Sequence, residues 1–161
     1  MSNYSKVLFF TFIVGISGCA CFGENNKPEI AFGDITAQQL LLTYSGFNEE
    51  YKAFSLSKTD ADLVMSWPEN LRVEIFFGTW CHDSVREVPR LLKALDNKVA
   101  IKLIALDYLK SEPLGRAMEA DVKFTPTFII YLDNKVIGKI VERPNVSLVE
   151  DINSFIEKEA G

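Results

Sequence analysis

Val73-Glu74-Ile75-Phe76-Phe77-Gly78-Thr79-Trp80-Cys81-His82-Asp83-Ser84 is the stretch on which the reading of this chain turns. Val73 to Phe77 is a short β-prone run, and Gly78-Thr79 breaks it. From Ser84 onward, Val85, Val88, Leu91, Leu92 and Leu95 recur at helical spacing. Cys81 therefore falls between a strand and the N-terminus of a helix. Unpaired N–H groups and the positive end of a helix dipole stabilise a thiolate at such a place, and the thiolate is the nucleophile. A Trp-Cys-x-x-Cys segment so placed is a thiol redox site, and here Ser84 stands where the second cysteine would be. The chemistry must then differ from that of a dithiol. A lone cysteine beside an aromatic is more often a small buried hydrophobe, so the rest of the chain has to decide.

The 161 residues are enough for one domain with a real core once a targeting segment is set aside. Lys6 and the amino terminus supply positive charge, Val7 to Ile16 is apolar, and small residues follow. The apolar run is short for a bilayer span. Ile16-Ser17-Gly18-Cys19 resembles a bacterial lipobox, which implies cleavage before Cys19 and a diacylglyceryl group on its sulfur. Ordinary secretory cleavage and an uncleaved anchor are the rival readings. Ala20, where aspartate favours inner-membrane retention in some bacteria, points to the outer membrane. The expected layout is a signal peptide over 1–18, a lipidated cysteine and tether over 19–34, and a folded domain over 35–161. Phe22 to Asp34 is polar, with Gly23, Asn25, Asn26 and Pro28, which suits a tether. Cys21, beside the anchor, is read as an incidental thiol, with a Cys21–Cys81 disulfide as the alternative.

The net charge of −5 argues against nucleic acid as a partner and against electrostatic attachment to anionic lipids. With His82 as the one histidine and no Cys/His cluster, no zinc or haem site is expected. No glycine-rich phosphate loop occurs either, and no cofactor is expected.

Thr36-x-x-Gln39 has capping-box form ahead of Leu40, Leu41 and Leu42, predicting a short helix ended by Gly46. Asn48 to Phe54 and Thr59 to Trp67 read as further helical pieces, the second closed by Pro68. Then come a strand at 71–78, a helix at 82–95, a strand at 99–106 and a short helix at 112–120. Strands at 127–132 and 135–142 and a helix at 147–159 complete the order. Asp133-Asn134-Lys135 makes the last two strands a hairpin. The order is β-α-β-α-β-β-α, a mixed central sheet flanked by helices, behind an N-terminal helical extension.

This order, with the residues in it, resembles the thioredoxin superfamily over about residues 60–159. Trp80-Cys81-His82-Asp83-Ser84 matches the active-site motif, and Pro89 lies where that family kinks its active-site helix. Thr125-Pro126-Thr127 matches the segment carrying a cis-proline that faces the sulfur. The resemblance implies Cys81 as nucleophile, Trp80 as a platform, and the backbone at Thr125 and Pro126 as the place where a substrate chain pairs as an added strand. Ile75 stands where thioredoxins bury an aspartate, with Glu74 on the opposite strand face. A protonated His82 would stabilise the thiolate and Asp83 would oppose it by like-charge repulsion, or either points to solvent; Ser84 either donates to the thiolate or merely starts the helix.

Two functions remain open on the sequence. One is a lipid-anchored, periplasm-facing monothiol oxidoreductase or isomerase of the bacterial cell envelope. It would act on protein disulfides or small-thiol mixed disulfides, with Cys81 released by an external reducing thiol or redox partner. The other is a non-catalytic module that holds a peptide or partner in the groove beside Pro126. Cys81 as a Cu(I) ligand, a third idea, lacks a second sulfur.

Overall fold

A computed structural model describes residues 29–161. The expected signal peptide, Cys19 and Cys21 lie outside the described residues. The elements are β1 (Gly33–Ile35), α1 (Ala37–Thr43), α2 (Ser45–Ala53), α3 (Lys58–Ser66), β2 (Leu71–Phe77) and α4 (His82–Leu95). They continue with β3 (Ala100–Ala105), α5 (Arg116–Glu119), β4 (Thr127–Leu132), β5 (Lys135–Val141) and α6 (Leu148–Ala160).

The five strands lie in the order β1-β3-β2-β4-β5. β2 and β3 run parallel, in register from Arg72↔Ala100 to Phe77↔Ala105; β1–β3, β2–β4 and β4–β5 are antiparallel. The α/β class and the mixed sheet expected from the sequence are both present. Alternation along β2 sets the two layers: Val73, Ile75 and Phe77 enter the larger core with α4 and α6, while Phe76 joins Ile104, Leu106, Ala117 and Ile129 on the other face. Glu74 shares that second face. It pairs with Arg72 at 2.8 Å and accepts from the Tyr131 hydroxyl at 3.1 Å, away from Cys81's helix. In the β4–β5 turn, Asp133 and Asn134 both adopt the left-handed conformation that a two-residue hairpin requires.

Three expectations change. Gly46 does not end the first helix. Tyr44 does, and Gly46 sits inside α2, where an added Cβ would stand 3.2 Å from Val85 Cγ1; the missing side chain lets α2 lie close to α4. The tether does not run to residue 34, because Gly33–Ile35 pair with Leu103–Ala105 as an edge strand. Three residues carry no readable period, and only the partner strand defines them. The helix expected at 112–120 is cut to Arg116–Glu119. Glu112 turns its carboxylate onto the N–H groups of Leu114 and Arg116, and Gly115 takes a left-handed conformation (φ 73°). The carboxylate thus organises a turn instead of a helical first residue.

Candidate functional site

Cys81 is the N-cap of α4, in extended conformation, and its side chain caps none of the helix N–H groups. Instead the thiol donates to the Thr125 carbonyl oxygen, with Sγ and O 3.1 Å apart. Thr125 is buried and its bond to Pro126 is cis. The sequence-predicted Cys81, Thr125 and Pro126 therefore meet, although 44 residues separate the first two. The topology explains this. β2 ends at the same edge of the sheet at which antiparallel β4 begins, as Phe76↔Thr127 pairing fixes.

Trp80 is a packed platform. Its indole Nε1 donates to the Leu106 carbonyl at 3.1 Å, and its ring lies 5.0 Å from that of Tyr108, tilted by 33°. The ring also covers Gly78, where a Cβ would come within 2.5 Å of it. Gly78→Ala is accordingly expected to push the indole off Leu106 at a cost of about 1–3 kcal/mol. A changed tryptophan emission with a lowered melting temperature is the readout; an unchanged spectrum would contradict this packing.

Ser84 is fully buried, and its Oγ accepts from the Gly78 N–H at 3.3 Å. It ties the end of β2 to the start of α4. Of the two sequence readings, the structure therefore gives Ser84 a local anchoring contact. His82 projects outward with 89% of its side chain exposed, its Nδ1 4.0 Å from an Asp83 oxygen. That is the solvent-facing alternative. Asp83, which sequence reasoning treated as an opponent of the thiolate, is held between Arg86 at 2.8 Å and Arg143 at 3.1 Å. Burial works to raise the Asp83 carboxyl, but the two guanidiniums outweigh it and leave it below the ordinary carboxylate range. Its charge is thereby largely compensated next to Cys81.

Several contributors were invisible in the sequence. Thr79 accepts the Ala31 N–H at 3.2 Å, so the leading segment touches the loop that carries Cys81. The Tyr44 hydroxyl donates to the Glu29 carbonyl at 2.7 Å and holds the same segment. Tyr108 and Arg143 come from loops whose sequence has no motif. Among the described residues Cys81 is the one cysteine, and no group of His, Cys, Asp and Glu is arranged to hold a metal ion. One cleft, of about 580 Å3, lies by the start of β3, at the far end of the sheet from Cys81, and another, of about 350 Å3, includes Arg86 and Arg143. Cys81 itself is half-buried.

The family model described as thioredoxin matches residues 36–151. No curated protein matches the chain. A protein of unknown function from Pseudomonas aeruginosa has a similar solved structure, with TM-score 0.55 and 16% identity over 78% of this chain and 87% of that one. An HIV epitope-scaffold is similar at TM-score 0.54 and 15% identity, over 77% of this chain and 87% of that one. Mitochondrial thioredoxin 3 from Saccharomyces cerevisiae, in its oxidised form, matches at 21% identity over 68% of this chain and 95% of that one. Its TM-score of 0.35 is too low to bear on the fold. The two higher-scoring likenesses speak to architecture alone.

Proposed function

Because the chain belongs to the thioredoxin family, we propose that it is a cell-envelope thiol-disulfide oxidoreductase or isomerase working through a single sulfur, that of Cys81. The carrying observation is the 3.1 Å contact of Cys81 Sγ with the Thr125 carbonyl, beside a cis-proline and at a helix start. In the first step Cys81 loses its proton to solvent and attacks one sulfur of a disulfide. The S–S bond breaks, a mixed disulfide forms on Cys81, and the other sulfur leaves as a thiolate that takes up a proton. Ser84 carries no sulfur with which to complete the exchange. An external thiol, from solution or from the substrate itself, attacks the mixed disulfide and returns Cys81 as thiolate. When a substrate thiol attacks, the net reaction is isomerisation; when two external thiols are consumed, their electrons reduce the substrate.

The supporting chemistry is local. Arg86 and Arg143 offset the Asp83 charge that would otherwise repel a thiolate. Trp80 and Tyr108 form one wall, and the Thr125 backbone forms the other. The anchor at Cys19 is proposed on the sequence, and places the domain at the periplasmic side of a membrane.

Exposure of the protein to oxidised glutathione is expected to give one glutathione adduct on Cys81, released by added thiol, and mass analysis reads both steps. Cys81→Ala should bring exchange activity down to background. If Cys81→Ser retains full activity on a substrate, or no adduct forms, the site is a partner-binding groove instead.

A further inference from the structure

We propose that the end of the sheet bearing Cys81 rests against a lipid bilayer, so that the redox site works at the membrane surface. The proposal rests on the reading of Cys19 as a lipid anchor. Four chain passages meet at that end, because β2 and β3 finish there and β1 and β4 begin there. Three of them carry large apolar side chains that the fold leaves exposed near the loop bearing Cys81. Phe32 precedes β1 and is 54% exposed; Tyr108 and Leu109 follow β3 at 64% and 86%; Phe124 precedes β4 at 53%. None of these is needed for the core, which is complete behind them. A rim of this kind on an acidic protein is an apolar surface seeking an occupant.

The chain itself points to that occupant. The described structure begins at the same end, with Glu29 held by Tyr44 and Ala31 by Thr79, two residues before Cys81. Ten peptide units separate Cys19 from Glu29, which reach at most about 35 Å. An acyl anchor on Cys19 thus holds this end of the domain within that reach of the bilayer without fixing its orientation. A second attachment is what a single anchoring segment needs for a fixed orientation, and apolar side chains supply one. Nearby charges are mixed: Lys123 pairs with Asp121 at 2.6 Å, and Asp107 lies three residues from Lys110. The attachment is therefore by apolar insertion, indifferent to anionic lipid. The substrates it favours are disulfides of proteins held at or in that membrane.

The two tryptophans offer a direct reading, since Trp80 lies at this end and Trp67, hydrogen-bonded to Asn153, precedes β2 at the other. The full chain, purified from membranes and reconstituted on phosphatidylcholine vesicles carrying brominated acyl chains, is expected to lose the Trp80 share of its emission. Leu109→Asp should restore that emission while leaving glutathione-adduct formation on Cys81 unchanged, and Trp80→Phe should show no quenching. The same loss is expected on vesicles containing phosphatidylglycerol. A diacylglyceryl mass on Cys19 with unquenched Trp80 overturns the docked orientation but leaves the anchor standing, and assigns the rim to a protein partner. No such mass and no quenching overturns both. Quenching without the lipid mass removes the anchor and supports docking through the rim alone. Quenching that needs anionic lipid, or survives Leu109→Asp, overturns the apolar face named here.

Discussion

Ser84→Cys is expected to speed thiol-dependent disulfide reduction on the order of ten- to a thousandfold, because an intramolecular thiol replaces a dilute external one in resolving the mixed disulfide. Cys81 caps α4 and Ser84 is its third residue, so the two side chains stand on one face of the first turn. The substitution has a cost: Ser84 Oγ accepts the buried Gly78 N–H, and sulfur is a weaker acceptor, so about 1 kcal/mol of stability should be lost. Insulin reduction with a fixed concentration of external thiol reads the rate, and mass analysis reads the new 81–84 disulfide. An unchanged rate would mean that Cys81 is not positioned for exchange at all.

Arg116→Ala should lower stability by about 3–5 kcal/mol, read as a shifted urea midpoint at neutral pH. Glu112 has a side chain with 0% exposure, and Arg116 bonds it at 2.9 Å. The same guanidinium reaches Asp34 in β1 at 2.5 Å. Removing it leaves a buried carboxylate uncompensated and frees the edge strand. Pairing Arg116→Met with Glu112→Gln should recover part of the loss, since the amide oxygen still accepts a backbone N–H of the turn and carries no charge to desolvate. The pH dependence follows from two lowered carboxyls. Burial works to raise Glu112, but the Arg116 bonds and two backbone N–H groups outweigh it; Asp34 is lowered first by its Arg116 bond. A carboxyl lowered in the folded state contributes stability that is complete above its unfolded value, about 4, and fades as pH falls through the folded one. Wild type should therefore weaken below about pH 4. The deficit of Arg116→Ala should narrow on acidification, as Glu112 takes up a proton. A deficit that stays constant down to pH 3 would contradict the charge argument.

Much of this site could be read along the chain. The strand-loop-helix around Cys81 announces itself in period and punctuation, and Pro126 lies before a run of β-branched and aromatic residues. What escaped is set by partners far away in sequence. Gly33–Ile35 is a strand because Leu103–Ala105 offers it an edge. Gly46 looked like a stop because its purpose, clearance for Val85, belongs to another helix. Asp83 looked like an electrostatic opponent because Arg143 lies 60 residues away. Glu112 stood as the first residue of a helix at 112–120, and in the structure its carboxylate binds its own turn instead.

The bond from the Ala31 N–H to Thr79 has a mechanical side. Any pull on the segment ahead of Glu29 arrives at Tyr44 and Thr79 before it reaches the three-residue strand and its Arg116 clamp. The loop carrying Cys81 is then among the first parts of the protein to register tension, while the sheet behind it is shielded. The segment that begins at Glu29 and the loop bearing the sulfur are joined through the Thr79 hydroxyl.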